Sequence, residues 1–125
     1  DEYNKSIILI KNAIGVQEYE PHLFRFPGGY IGGKYAKVKQ SAAQILDQNG
    51  ILHVDWNALT SDSAGAKTIE EFIAELEKTV PKHNSVVVLM HDAGNKTATA
   101  EALPTIIQYF RERGFEFENF YSIIK

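Results

Sequence analysis

Val86-Val87-Val88-Leu89-Met90-His91-Asp92, followed by Ala93-Gly94-Asn95, is the stretch from which the fold can be read. Its apolar part is rich in β-branched residues and bounded by polar ones, the pattern of a strand buried on both faces. Two ionisable side chains then stand where the strand should end. In parallel sheets, ligands gather outside the carboxyl ends of the strands. An imidazole and a carboxylate there, ahead of a Gly-Asn turn, suit acid–base work. A solvated His-Asp pair at an ordinary strand end is the plain alternative, and this stretch does not choose between the two. Asp92 stays open between capping the turn and touching the site.

Working outward, the segment before this strand reads as a helix. Thr68-Ile69-Glu70-Glu71 has capping-box spacing. Ile69, Phe72, Ile73, Leu76 and Val80 form its buried stripe, and Pro81 helps to stop it. Asn57 to Lys67 is a polar loop of small residues, long enough to serve a site. Asp62 within it reads as solvated. Ile51 to Trp56 is a second strand, with His53 and Asp55 on one face and Val54 and Trp56 on the other. Before it, Val38, Ala42, Ile45 and Leu46 mark a helix ended by Asn49-Gly50. Leu23 to Phe26 is a short strand broken by Pro27-Gly28-Gly29, and Tyr30 to Lys34 is a loop. From Asp1 to Ile14, Tyr3, Ile7, Ile10 and Ile14 give an amphipathic helix that Gly15 can end. On the other side, a last helix is expected to begin near Thr99, with Pro104 in or near its first turn. Leu103, Ile106, Ile107 and Phe110 face inward and Gly114 ends it. Phe115 to Ile124 reads as a final strand.

Strict alternation of helix and strand predicts an α/β fold with right-handed crossovers and a parallel sheet in one unit. The 125 residues suffice for a domain with a real core. They are few for a complete β/α barrel, which takes about 250. A net charge of -3 argues against a nucleic-acid or anionic-membrane partner. No run approaches the roughly 20 apolar residues of a membrane span. With no cysteine there is no disulfide or thiolate metal site. Asp1-Glu2 does not open a leader peptide, and without an initiator Met the chain is expected to begin inside a longer polypeptide.

Three strands end in unusual chemistry: Arg25-Phe26-Pro27-Gly28-Gly29, Asp55-Trp56-Asn57 and His91-Asp92. In one parallel sheet these ends share a rim, so a guanidinium, a carboxylate beside an indole, and an imidazole are expected at one mouth. Phe24-Arg25-Phe26-Pro27-Gly28-Gly29, Val54-Asp55-Trp56-Asn57 and Val88-Leu89-Met90-His91-Asp92 resemble the third, fourth and fifth signature motifs of the NodB-homology polysaccharide deacetylases, carbohydrate esterase family four. Ala102-Leu103-Pro104 with Ile106-Ile107 is similar to bacterial members, and the resemblance runs from about Asp1 to the end.

The resemblance implies a metal-dependent enzyme that removes acetyl groups from N-acetylated sugars on a distorted β/α barrel. A divalent metal, usually zinc, polarises the amide carbonyl in that family, and a metal-bound water attacks it. His91 matches the general acid that protonates the leaving amine. Asp55 matches the carboxylate that pairs with the imidazole and keeps it charged. Arg25 matches the residue that orients the catalytic-base aspartate. The Gly28 amide matches an oxyanion donor, with Gly29 beside it, and Trp56 and Leu89 match walls of the acetyl pocket. Each of these also has a plain reading as a loop anchor, a turn residue or packing. His22, His53 and His83 read as structural or exposed.

The first two family motifs are absent: there is no Thr-Phe-Asp-Asp-Gly and no His-x-x-x-His. These supply the base aspartate and the metal ligands, and a zinc site needs about three protein ligands. Residues 1–125 are therefore expected to be the C-terminal half of a deacetylase barrel, with about four strands and four helices. Zinc is expected in the complete domain and no metal in this chain alone. The expected partners are an N-acetylated polysaccharide such as peptidoglycan or chitin, and the missing N-terminal half or a second copy at the open edge. No nucleic acid or membrane partner is expected, and the family implies an extracellular or cell-wall location. A non-catalytic carbohydrate-binding module, with Arg25, Tyr30, Trp56 and Asn57 on its rim, is the alternative. A small α/β domain with incidental rim residues is a third reading.

Overall fold

A computed structural model describes residues 2–123. The chain divides into two units, Asp1–Asp55 and Trp56–Lys125, each with its own apolar cluster. Helices and short parallel strands mix in both. Among the described residues each unit holds one two-stranded parallel sheet.

In the first unit, α1 (Glu2–Ile14) forms where the three-and-four spacing predicts it, and Gly15 follows with φ 71°. Its stripe is only partly used. Tyr3 and Ile7 are half-buried, and the Tyr3 hydroxyl donates to the Pro21 carbonyl at 2.5 Å, but Ile10 and Ile14 are exposed. β1 (Leu23–Phe24) pairs in parallel with β2 (Leu52–His53), Leu23 beside Leu52 and Phe24 beside His53. Both strands are shorter than their apolar runs. The last rung is the Val54 amide on the Phe24 carbonyl at 2.9 Å, because Pro27 then turns the first strand away. Asp55 and Trp56 lie beyond the end of β2, which closes at His53 rather than running to Trp56.

α2 (Ala36–Gln48) packs Ala43 and Leu46 against Phe26, with Phe24, Tyr30, Ala42 and Ile51 around them. The buried face is rotated from the expected stripe, since Val38 and Ile45 are exposed. The helix closes as a Schellman motif: Gly50 N–H reaches Asp47 O at 2.9 Å and Ile51 N–H reaches Leu46 O at 2.9 Å. That closure needs a left-handed residue, which Gly50 supplies at φ 68°.

In the second unit, β3 (Ala58–Leu59) pairs in parallel with β4 (Val88–Leu89), Ala58 beside Val88 and Leu59 beside Leu89. β3 lies in what the sequence presents as loop. It is held in register by Asn57, whose side chain imitates a strand residue. Its Nδ2 donates to Ser85 O at 2.8 Å and its Oδ1 accepts the Val87 amide at 2.8 Å. Val86 to Met90 is half-buried throughout, a correction to the expectation of burial on both faces, because β4 pairs on one side only.

α3 (Ile69–Thr79) starts on the capping box. Thr68 Oγ1 accepts the Glu71 amide at 3.3 Å, and Glu71 Oε2 accepts the Thr68 amide at 3.2 Å. A short 3-10 turn (Val80–Lys82) follows. Phe72, Leu76 and Val80 are buried against Ala58 of β3 and against Ala102, Ile106, Tyr109 and Phe110 of α4 (Thr97–Glu112). Each large apolar side chain taken from water contributes about 1.5–3 kcal/mol.

α4 begins two residues before Thr99, which places Pro104 in its interior rather than its first turn. The missing amide hydrogen falls opposite Ala100, on an exposed face where water can serve the carbonyl. Leu103 is exposed instead of facing inward. The expected last strand is not formed. Phe115 folds back onto Phe110, ring centroids 5.4 Å apart, in the second Schellman closure of the chain. Residues 116–119 carry no strand, and α5 (Phe120–Ile123) follows. Ile124, the end of that expected strand, lies outside the described residues.

Candidate functional site

Leu59 and Leu89 are paired and the strands run the same way, so the chain leaving β3 and the chain leaving β4 emerge at one end of the sheet. Leaving β4, His91 follows Met90. Leaving β3, Thr60 is fully buried, and Ser61 takes a left-handed backbone with φ 56°, uncommon for a residue with a Cβ. That bend is braced. Ala64 N–H and Ala66 N–H both return to Ser61 O, and Ser61 Oγ donates to Glu75 Oε2 at 3.0 Å. The result is that Asp62 is directed under His91 rather than into solvent.

Asp62 grips His91 twice. Oδ2 accepts the His91 main-chain N–H at 2.8 Å, and Oδ1 lies 2.8 Å from Nδ1 of the ring. The carboxylate side chain is 2% exposed and the imidazole 33%. An ionised carboxylate can only accept, so the Nδ1 position carries the hydrogen, and Nε2 is the nitrogen left for exchange with a ligand. Thr99 Oγ1 adds a third donor to Oδ2 at 3.0 Å, and Lys96 Nζ donates to the Asp62 carbonyl at 2.6 Å. Burial by itself pushes the Asp62 carboxyl up. The His91 ring, the His91 amide, the Thr99 hydroxyl and the attraction of the His91 charge outweigh it and hold the group below its ordinary value. His91 borders a groove of about 620 Å³ whose other walls include Met90, Asp92, Lys96, Thr99 and Leu103.

This corrects the reading of Asp62 as solvated: it is the carboxylate that meets Nδ1 of the His91 ring. Asp55 serves the first unit, where both of its oxygens accept the Tyr30 amide, at 2.8 and 3.1 Å. It thereby ties down the loop after a tight turn. Phe26 O accepts Gly29 N–H at 2.9 Å across Pro27 and Gly28, with Gly28 at φ 70°, the pattern of a type II turn. A Cβ on Gly28 would meet nothing within 4 Å, so the turn needs glycine there for its backbone alone. Gly29 is buried, with its amide used by the turn and its carbonyl held by Lys39 Nζ at 2.6 Å. Arg25 is exposed, and Trp56 and Leu89 are half-buried. His53 packs its ring 4.5 Å from Tyr30 and 5.6 Å from Phe26, a structural role.

Among the described residues, no group of three or more His, Asp or Glu side chains is placed to hold a metal ion. The donor set of the described residues does not fit a catalytic zinc, which takes about three protein ligands. Among the same residues, no helix is long and apolar enough to cross a membrane.

Two solved structures match the chain. One is a CE4 esterase from Streptococcus mutans, with a TM-score of 0.76 and 29% identity over 91% of this chain and 49% of that one. Over 91% of its length the chain is similar in fold to about half of that CE4 esterase. The other is the catalytic domain of peptidoglycan N-acetylglucosamine deacetylase from Eubacterium rectale, with a TM-score of 0.76 and 24% identity over 91% of this chain and 52% of that one. The chain thus spans about half the length of the two structures it matches. No family model matches it, and no curated protein matches it.

Asp62, Thr99 and Lys96 are the residues of the candidate site that reading the sequence missed. The signal was present: Ala58-Leu59 is a short strand, and Asp62 follows its carboxyl end as His91 follows that of β4. Two strand residues flanked by polar ones are too few to show a period, so the segment passes for loop.

Proposed function

We propose that this chain carries the proton-donating part of a deacetylase that hydrolyses acetamido groups on N-acetylglucosamine-containing polysaccharide, peptidoglycan or chitin-like. The observation that carries the reading is the His91–Asp62 pair: an imidazole at a strand end, its Nδ1 held at 2.8 Å by a buried carboxylate, its ring bordering an open groove. In amide hydrolysis, water adds to the carbonyl carbon, the C–N bond breaks, and the nitrogen must leave as an amine. Nε2 of His91 is the position from which a proton can reach that nitrogen, while Asp62 steadies the imidazolium from behind. Arg25 would orient the base carboxylate, the Gly28 amide and Gly29 would face the developing oxyanion, and Trp56 and Leu89 would wall the acetyl group. The likeness to the S. mutans CE4 esterase supports this assignment.

The base, the metal ligands and the divalent metal, zinc first, would come from the part of the domain that this chain does not span. That part, or a second copy of the chain, would cover the exposed apolar side chains Ile8, Leu9 and Ile14 of α1 and Val38 and Ile45 of α2. By itself the chain would release no appreciable acetate. An enzyme of this kind would work outside the cell or at its wall. In the carbohydrate-binding alternative Asn57 would have little freedom to turn toward a sugar, because its Nδ2 already donates to Ser85 O and its Oδ1 accepts the Val87 amide.

Acetate release from N-acetylchitooligosaccharides and from peptidoglycan, by the complete domain carrying this chain, tests the reading. His91→Ala should lower kcat by about 100-fold or more with little change in KM, because a general acid acts in the transition state. Equal turnover in the variant overturns it.

A further inference from the structure

Lys96 occupies the N-cap of α4, a position where Ser, Thr, Asp or Asn would serve the free amides, and it makes no side-chain cap. Its ammonium group instead reaches the Asp62 carbonyl at 2.6 Å. One turn on, Thr99 is 6% exposed and turns its hydroxyl to Asp62 Oδ2 at 3.0 Å. The start of α4 therefore forgoes local stabilisation and directs two side chains at one aspartate. We propose that Thr99 is a positioning residue for His91, acting through the Asp62 carboxylate.

Asp62 is nearly sealed from water, so its lone pairs must be matched by protein donors. Two of the three donors it has belong to His91 itself, and these cannot fix the carboxylate independently of the ring. Thr99 is the donor from a different element. It sets the rotation of the carboxylate, so that Oδ1 points at Nδ1 while Oδ2 keeps the main-chain amide. Without the hydroxyl, the carboxylate can turn toward either His91 donor at the expense of the other, and the imidazole loses its fixed orientation. The charged and titratable groups facing Asp62 are the His91 imidazole after β4 and the Lys96 ammonium, on the carbonyl, from α4. Glu75 of α3 reaches the same loop through Ser61. Where it concerns catalysis the inference rests on the proposed deacetylase function; the positioning itself does not.

The experiment is a carboxyl ¹³C titration of Asp62, with the ¹H resonance of His91 Nδ1–H, in the full chain. Thr99→Val keeps the shape and removes the hydroxyl; Thr99→Ser keeps the hydroxyl. Thr99→Val should move the Asp62 titration to higher pH and broaden or lose the Nδ1–H signal, and Thr99→Ser should hold both at wild type. If Thr99→Val does not fold, Thr99→Ala set against Thr99→Ser makes the same comparison. An Asp62 titration identical with and without the hydroxyl overturns the inference, whatever acetate release shows. A loss of the deacetylase reading through an active His91→Ala enzyme leaves this titration result standing.

Discussion

Replacing Asp62 with alanine removes three hydrogen bonds at once, those from the His91 amide, the His91 ring and the Thr99 hydroxyl. A hydrogen bond to a charged group is worth about 1.5–3 kcal/mol net. The three do not add, since two of the donors sit on one residue and shift together. Breaking a buried charge pair costs about 3–5 kcal/mol, chiefly through the group left unpaired. Here that group is an imidazole one-third open to water, which recovers part of the loss. The expected cost of Asp62→Ala is therefore about 3 kcal/mol, a large share of the 5–15 kcal/mol that holds a typical domain. Asp62→Asn separates geometry from charge. Its amide oxygen can still accept from the His91 main chain and from Thr99, so the loss should be only about 1 kcal/mol. Its NH2 group, however, would face Nδ1 and select the tautomer with hydrogen on Nε2. Urea unfolding measures the first effect, and ¹⁵N shifts of the His91 ring, recorded with the imidazole neutral, measure the second. A loss under about 1 kcal/mol in Asp62→Ala would refute the accounting. An unchanged protonated nitrogen in Asp62→Asn would refute the tautomer assignment.

Stability should fall in acid. Asp62, Glu71 and Glu75 are all held below their ordinary values: Asp62 by His91 and Thr99 against its burial, Glu71 first by the Lys67 amide, Glu75 first by Lys78. A depressed carboxyl stabilises the fold above its unfolded value and loses that contribution as pH drops through the folded one, so the urea midpoint should hold near neutrality and decline below about pH 4. A midpoint equal at about pH 7 and pH 3 refutes it. Asn57→Ala should cost about 1–2 kcal/mol, since both ends of its carboxamide bind backbone, and should speed amide exchange at Val87. Unaltered exchange there would show that β4 does not depend on Asn57.

The helices were the legible part of this chain. α3 has a capping box and a long apolar stripe, and its start and buried face agree with the pattern. Gly50 and Gly114 mark helix ends because only a left-handed residue completes those closures. The strands were less legible. Each has two paired residues, so length and alternation carry little information, and pairing partners rather than composition decide where they stop. The Phe115–Ile124 stretch has the aromatics of a strand, yet Phe115 and Phe117 pack on Phe110 instead. At the site, His91 was visible because an imidazole after an apolar run is conspicuous. Asp62 was not, because a carboxylate between two serines looks solvated, and only the left-handed bend at Ser61 sends it inward.

The double hold of one carboxylate on a single histidine also has a kinetic side. Swinging the imidazole outward releases one arm of the clamp while the other still pins the peptide group behind it. Full release requires the carboxylate to leave its sealed slot, which means opening the 61–66 bend. Release of the His91 peptide group is thereby geared to a segment far upstream in the chain. Solvent-deuterium uptake at the His91 peptide nitrogen acts as a clock for that gear.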